Sequence, residues 1–570
     1  ITWNIDDPQI LFGATPSSVL KYAAFESNLY FRQKRYEHLF SLAPKHPLLE
    51  LRDLAKRLGS SEFDIQDYAK QLKFGEEQTH LLLIDLANRG FVDYNTETRA
   101  IRVLSKTNRF IQNNIGMRDY DVIQFSSEVD NGHNAQLSLL NYDLTLKGVD
   151  NFLLSDSQEV VIQPSRKEVV VKKDREFSFG GRVFAGNFEF SGSEYYFRYD
   201  QFQLDLLKVD SCRIYADDYE NLDAQGRPTK ERLKSVIRDL AGVLRIDAPS
   251  NKGGYHSPIY PKYPILECTK SSYIHWQEKP IHNGAYKKDK FYYQLKPFVI
   301  DSLDNFSKNQ LKFEGTLVSG GIFPDISESL VLMPDNSLGF KTKTPSNGLP
   351  TYNGKAKVVA ELTLDYSGLH GGGTFDYLTS TASSDDFLFL PDSMRGQTHQ
   401  YANREVAAKP EVPKAHCDTT LLRFYATNDL LNVSDLQKPI DFFNDEATLK
   451  GTLSLRPSGM SGRGQMDFAG AKMFSENYNY TRRKILADTS DFQLNRSGEK
   501  SDFSMAFRTT NVNGNVDFDK RLGVFKSNGG ETKIEFPANQ YVCYMDQFTW
   551  YMDKDEMDLS SSRKAADDLV

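Results

Sequence analysis

Apolar residues along this chain follow two periods, and the change between them falls near Asp121. Before it, Leu20, Ala23, Ala24, Leu29, Phe31 and Phe40 trace a loose helical stripe. That spacing predicts one long helix over Ser17–Leu42, behind a short strand, within residues 1–46. His46-Pro47 then interrupts the pattern. Three shorter helices are expected over Leu48–Leu58, Glu62–Leu72 and Glu76–Asn88. Each stops near a glycine (Gly59, Gly75, Gly90), as helix C-termini often do. Two strand-like runs follow, Phe91–Tyr94 and Ala100–Leu104, joined by Asn95-Thr-Glu-Thr98. Three helices and a hairpin give residues 47–120 a winged-helix-like outline.

Beyond Asp121 apolar and polar residues alternate. Phe177, Phe179 and Val183, then Tyr195, Phe197 and Tyr199, then Phe202, Leu204 and Leu206 are separated by polar neighbours and glycines. Period-two runs of this kind are half-buried antiparallel strands. Residues 121–250, 251–410 and 411–570 read as successive sheet modules. One helix is expected inside the first, over 229–242, because Leu233, Val236, Ile237 and Leu240 share a helical face. Pro228 precedes that run and Gly242 closes it. A repeat joins the other two modules. Leu362–Tyr377 aligns with Leu453–Phe468 at a shift of 91 residues, with Ser367/Ser458, Gly368/Gly459, Gly371/Gly462, Gly373/Gly464 and Asp376/Asp467 coincident. Each copy reads as strand, glycine turn, strand. The fold class expected is mainly β, α+β overall. A helical N-terminal region precedes stacked antiparallel sheets in an extended array.

Composition narrows the function classes. A chain of 570 residues is too long for one ordinary core. With 38 Phe and 29 Tyr, it has the means to fold. A net charge of −8 argues against a general nucleic-acid or anionic-membrane binder. Between Glu50 and Lys106 nine basic side chains face ten acidic ones, so the winged-helix-like stretch lacks the positive excess that phosphates demand. Cys212, Cys268, Cys417 and Cys543 are far apart, which points to buried small hydrophobes rather than a zinc cluster or disulfide framework. No run of about twenty apolar residues predicts a spanning helix. The Ile1-Thr-Trp start and the polar Ser562–Val570 end read as a piece of a longer chain.

Several motifs touch on chemistry. His370-Gly-Gly-Gly373 has the form of an oxyanion-hole motif, but no Gly-x-Ser-x-Gly elbow accompanies it and the repeat puts Ser461 in place of His370. Gly348–Ala356 is one residue too long for a phosphate loop and puts Ala356 where a magnesium-binding hydroxyl is needed. A hairpin at Asn353-Gly354 is expected instead. The acidic runs Asp217–Glu220 and Asp553–Asp558 lack calcium-loop spacing and read as solvated turns. No HExxH pair supports a histidine metal site. The Pro/Tyr-rich loop Tyr255–Pro264 offers Tyr255, Tyr260 and Tyr263 as a ligand-binding platform.

Four stretches, Gly148–Ser157, Gly180–Phe190, Pro297–Ser307 and Ser384–Met394, resemble a family of very large Bacteroidota envelope proteins. The resemblance runs from about Gly90 almost to the end. It implies an exported, periplasmic or outer-membrane-associated protein of which this chain is a middle piece, and it carries no catalytic residues. Asp301-Ser-Leu303, Asp392-Ser-Met394 and Asp418-Thr-Thr420 look like the O-glycosylation triplet of such proteins. The repeat is also similar to glycine-bearing strands of AsmA/TamB-like lipid-carrying grooves.

The reading is a non-catalytic scaffold segment that binds other envelope proteins, with no cofactor, metal or nucleic acid. A lipid-conducting groove and a glycan-binding surface are the alternatives.

Overall fold

The structure, a computed structural model, describes residues 1–13, 22–40, 45–226, 228–254, 262–304, 311–495, 505–554 and 556–560, without the side chains of 218–220. It is dominated by antiparallel sheet, with helices near the N-terminus. The chain divides into two compact units, residues 1–274 with 295–313, and residues 275–294 with 314–570.

The first unit begins with the helices. They are α1 (Gln33–Phe40), α2 (Pro47–Leu58), α3 (Ile65–Leu72), α4 (Glu76–Asn88) and α5 (Ser105–Asn114). α2 starts on a proline, whose missing N–H costs nothing there, and ends at Gly59 with φ 63°. Asp64 caps α3 by accepting from the Gln66 N–H at 2.8 Å. The α3 terminus departs from the glycine expectation. Lys73 takes the left-handed position at φ 58°, and Gly75 instead begins α4. Strands Glu62–Asp64, Ala100–Val103 and Val92–Tyr94 form a small sheet in that order, completing the winged-helix outline. Asn95 sets its turn by accepting from the N–H groups of Glu97 and Thr98. Leu48, Leu51, Leu54, Leu83, Leu86 and Ile101 are fully buried between helices and sheet.

One expected helix is absent and another is shorter than expected. Within the long stretch predicted before residue 46, Tyr22–Glu26 is a strand paired with Gln124–Glu128, and among the described residues only Gln33–Phe40 is helical. The loose stripe there is broken by a turn at Ser27, where Ser27 Oγ donates to Asp121 and Tyr30 N–H bonds back to Ser27 O. Residues 229–242 lie within the strand Pro228–Arg245, paired with Gln203–Leu222. Leu233, Ser235 and Ile237 face the core, then Leu240 and Leu244 do. The switch from odd to even numbers occurs across Asp239, held at φ 55°. A strand irregularity of this kind spaces apolar residues by three and four, so it imitates a helix in sequence.

The main sheet of this unit runs antiparallel from Thr2–Trp3 and Gln9–Phe12 through Ala135–Ser138, Leu144–Lys147 and Glu168–Val171. It continues through Phe177–Ala185, Phe188–Arg198, Gln203–Leu222 and Pro228–Arg245. Alternation puts rings on one face in register. Phe177 stacks on Phe197 at 4.5 Å and Phe179 on Tyr195 at 5.0 Å.

The large sheet of the second unit follows an antiparallel path in chain order from Leu330–Leu332 to Met557–Ser560, with further pairings that skip strands, such as Ser393–Thr398 with Thr420–Tyr425. The repeat is plain in its register. Strands Ala356–Asp365, Gly368–Tyr377 and Ser380–Phe389 match Ala447–Arg456, Gly459–Phe468 and Ala471–Thr481. Each copy's first strand is flanked by two short strands, one on each half of its length. These are Leu338–Lys343 with Leu349–Thr351, and Leu430–Asp435 with Ile440–Phe442. A third copy, unseen in the sequence, occurs in the first unit. There Val160–Pro164 and Glu168–Val171 flank Phe177–Ala185, and Phe188–Arg198 follows. Buried Tyr195, Phe375 and Met466 take corresponding places, as do Phe197, Tyr377 and Phe468. Glycine pairs mark the bend: Gly451 opposes Gly464 in one copy and Gly181 opposes Gly192 in another. At Gly464 the backbone has φ 125°, and a Cβ would meet Lys450 O at 2.2 Å.

Candidate functional site

Of the three tyrosines singled out, Tyr255 and Tyr260 lie outside the described residues, and Tyr263 is half-buried beside Pro264. The side chains of Asp218 and Glu220, and Asp555, also lie outside them. The Gly348–Ala356 segment is a hairpin, with Asn353 at φ 58° and Gly354 at φ 82°. Lys355 Nζ bonds Ala426 O there.

His370 sits on the strand Gly368–Tyr377, two residues into the sheet from a hairpin tip. Its Nε2 is 2.8 Å from Ser367 Oγ and its Nδ1 is 3.2 Å from Asp386 Oδ1. This is the order of contacts in a serine-hydrolase triad. The hydroxyl has one proton, however, and Asp365 Oδ1 takes it at 2.5 Å. The same carboxylate oxygen accepts the Ser367 N–H at 2.8 Å. Leu369 N–H is bonded to Tyr286 OH, and Asp386 is 66% exposed. The cluster therefore fastens a hairpin turn. Nucleophile activation would need the proton to face the imidazole, with N–H donors converging beside it.

A second polar cluster lies on strands further along the second unit. Strand Ala415–Cys417 pairs with Ile440–Phe442, and the register sets His416 opposite Asp441. The turn after Phe442 returns Asp445 to the same place. His416 Nε2 lies 3.8 Å from Asp441 Oδ2 and 3.5 Å from Asp445 Oδ1. The sequence could not bring these together, because strand register decides it.

Charged turns adjoin this cluster. Glu446 bridges Arg483 at 2.6 Å and Arg521 at 2.8 Å. Arg483 also pairs with Asp519 and donates to Phe443 O, and Arg521 holds Asp553 at 2.7 Å. Four turns are thus cross-linked by one charge network. Isolated surface pairs are worth little, but shared partners in fixed turns resist rearrangement.

Two further apolar features lie on strands of the second unit. Phe474, 46% exposed, lines a shallow groove of about 170 Å³ with Lys472, Asp491 and Arg508. That is below the ~300 Å³ at which small-molecule pockets begin. Strand Tyr541–Met545 pairs with Thr532–Phe536 and leaves Tyr541 74%, Val542 51% and Tyr544 56% exposed.

The cysteines are thiols, three of them buried. Burial pushes Cys212 far above the ordinary thiol range, with nearby Cys268 and Glu189 adding to it. Among the described residues no helix is long and apolar enough to cross a membrane. In sequence comparison, no protein-family model and no curated protein matches the chain.

Proposed function

We propose that this chain is a non-catalytic structural segment of a large exported envelope protein, and that its sheets serve to bind other envelope proteins. The observation that carries the reading is the strand Tyr541–Met545. It keeps two tyrosines and a valine in water within five residues. Adjacent exposed apolar side chains on a sheet with well-packed cores are a feature of protein-binding surfaces, where aromatic rings contribute most of the contact energy.

The rest of the molecule agrees with a rigid support. Phe375 and Phe424 meet at 5.5 Å, and Phe468 and Trp550 at 5.9 Å, so inward faces are filled by rings. A lipid-conducting groove would need that space open. The charge network across the turns holds neighbouring hairpins in one arrangement.

The test is chemical cross-linking with mass spectrometry of the full-length protein in its native envelope. A variant carrying Tyr541→Ser, Val542→Thr and Tyr544→Ser is expected to lose cross-links from this strand by roughly tenfold, about 1.4 kcal/mol of affinity. Cross-links that persist unchanged, or none in the parent protein, would sink the reading.

A further inference from the structure

We propose that His416, Asp441 and Asp445 form a site for one divalent cation of the zinc class. All three ligand atoms lie within 4.8 Å of one another. Bonds of about 2.0–2.1 Å in a tetrahedral zinc shell place neighbouring donors roughly 3.3 Å apart. The observed 3.5 and 3.8 Å separations exceed that by a few tenths of an ångström. Asp445, 68% exposed, has room to swing inward. Three protein donors leave one position for water or for a group from a partner.

The local charges favour a bound cation. Two carboxylates converge here, and among the described residues no lysine or arginine nitrogen reaches within 4.0 Å of either; the side chain that faces both is His416. The nearby lysines are engaged elsewhere. Lys414 Nζ bonds Asn444 Oδ1 at 3.1 Å, and Lys438 holds Asp418 at 2.8 Å. Cys417 points to the opposite face, buried, with its thiol near the Thr419 and Lys438 carbonyls, so it is not a ligand.

The repeat supplies an independent comparison. Tyr352, Asn353 and Gly354 have φ 52°, 58° and 82°, and Phe443, Asn444 and Asp445 have φ 54°, 60° and 69°. The same turn is thus built twice. In the first copy Pro350 and Gly354 stand where the second has Asp441 and Asp445. Neither carboxylate is required by the turn, and Asp445 occupies a left-handed position that glycine adopts more readily.

The donor set selects the ion. Calcium needs six to eight oxygens and takes imidazole poorly, and magnesium keeps most of its waters. One imidazole nitrogen with two carboxylates suits Zn²⁺ or Co²⁺.

The test is titration of the chelator-washed full chain with Zn²⁺ by calorimetry and with Co²⁺ by visible absorption. One ion per chain is expected. Asp445→Asn, which keeps a residue tolerant of left-handed backbone, and His416→Ala should each weaken binding by roughly tenfold or more. Urea midpoints of both variants without metal should stay near that of the parent, which separates ligand loss from unfolding. Three results would overturn the proposal: no saturable binding, affinity unchanged in both variants, or a sulfur-to-cobalt charge-transfer band placing the ion on a cysteine.

Discussion

Asp121 shows how much one side chain can fix. It is fully buried and accepts from Ser27 Oγ at 2.5 Å and Tyr199 OH at 3.1 Å. Its backbone also bonds Phe31 N–H and Leu29 O, tying the segment before α1 to the residues where the alternating pattern begins. Burial raises its pKa, and the hydrogen bonds only partly offset this. A raised folded-state pKa means the folded chain holds the proton more tightly. The favourable contribution is complete below the ordinary carboxyl value and is lost as pH rises through the raised one. The stability of Asp121→Asn relative to the parent should therefore increase as pH rises from about 4 to 7, read from urea midpoints. A flat difference would contradict the assignment. Ser367 makes a second prediction at this scale. A fluorophosphonate probe should leave it unlabelled, because its proton faces Asp365. Labelling that vanishes in Ser367→Ala and His370→Ala would assign hydrolase chemistry and end the non-catalytic reading.

At the scale of elements, the glycine bend is the device repeated through both units. Gly464 has φ 125° and a backbone oxygen 2.2 Å from where a Cβ would lie. Gly470, in the following turn at φ 78°, has nothing within 4 Å. Gly464→Ala should cost about 3 kcal/mol, combining steric displacement with backbone strain, and Gly470→Ala about 1 kcal/mol. Chemical denaturation of the two variants checks the ranking, and equal losses would deny the bend its structural role. The strand Pro228–Arg245 carries the opposite lesson. Its spacing at Leu233, Ile237, Leu240 and Leu244 is helical by count, and only pairing with Gln203–Leu222 reveals a strand with a kink at Asp239.

For the whole molecule, the telling segment is 275–294, which belongs to the second unit although 295–313 belongs to the first. Trp276 Nε1–H donates to Asp365 O at 2.7 Å, Tyr286 OH donates to Phe389 O at 2.7 Å, and Tyr286 packs on Phe291 at 4.3 Å. All three rings are buried. Residues 314–570 expressed alone should be less stable than 275–570, since each large aromatic lost from a core removes roughly 3–5 kcal/mol. Equal urea midpoints would place the segment outside the unit's core. The sequence by itself determined the β-rich class, the helices α2 to α4, the Asn353-Gly354 hairpin and one repeat, because these follow from local spacing, proline and glycine. Tertiary structure alone decided the strands at Tyr22–Glu26 and Pro228–Arg245, the third repeat copy and the meeting of His416 with Asp441 and Asp445. Those depend on which strand lies beside which and in what register, and that is set by distant residues competing to bury the same faces.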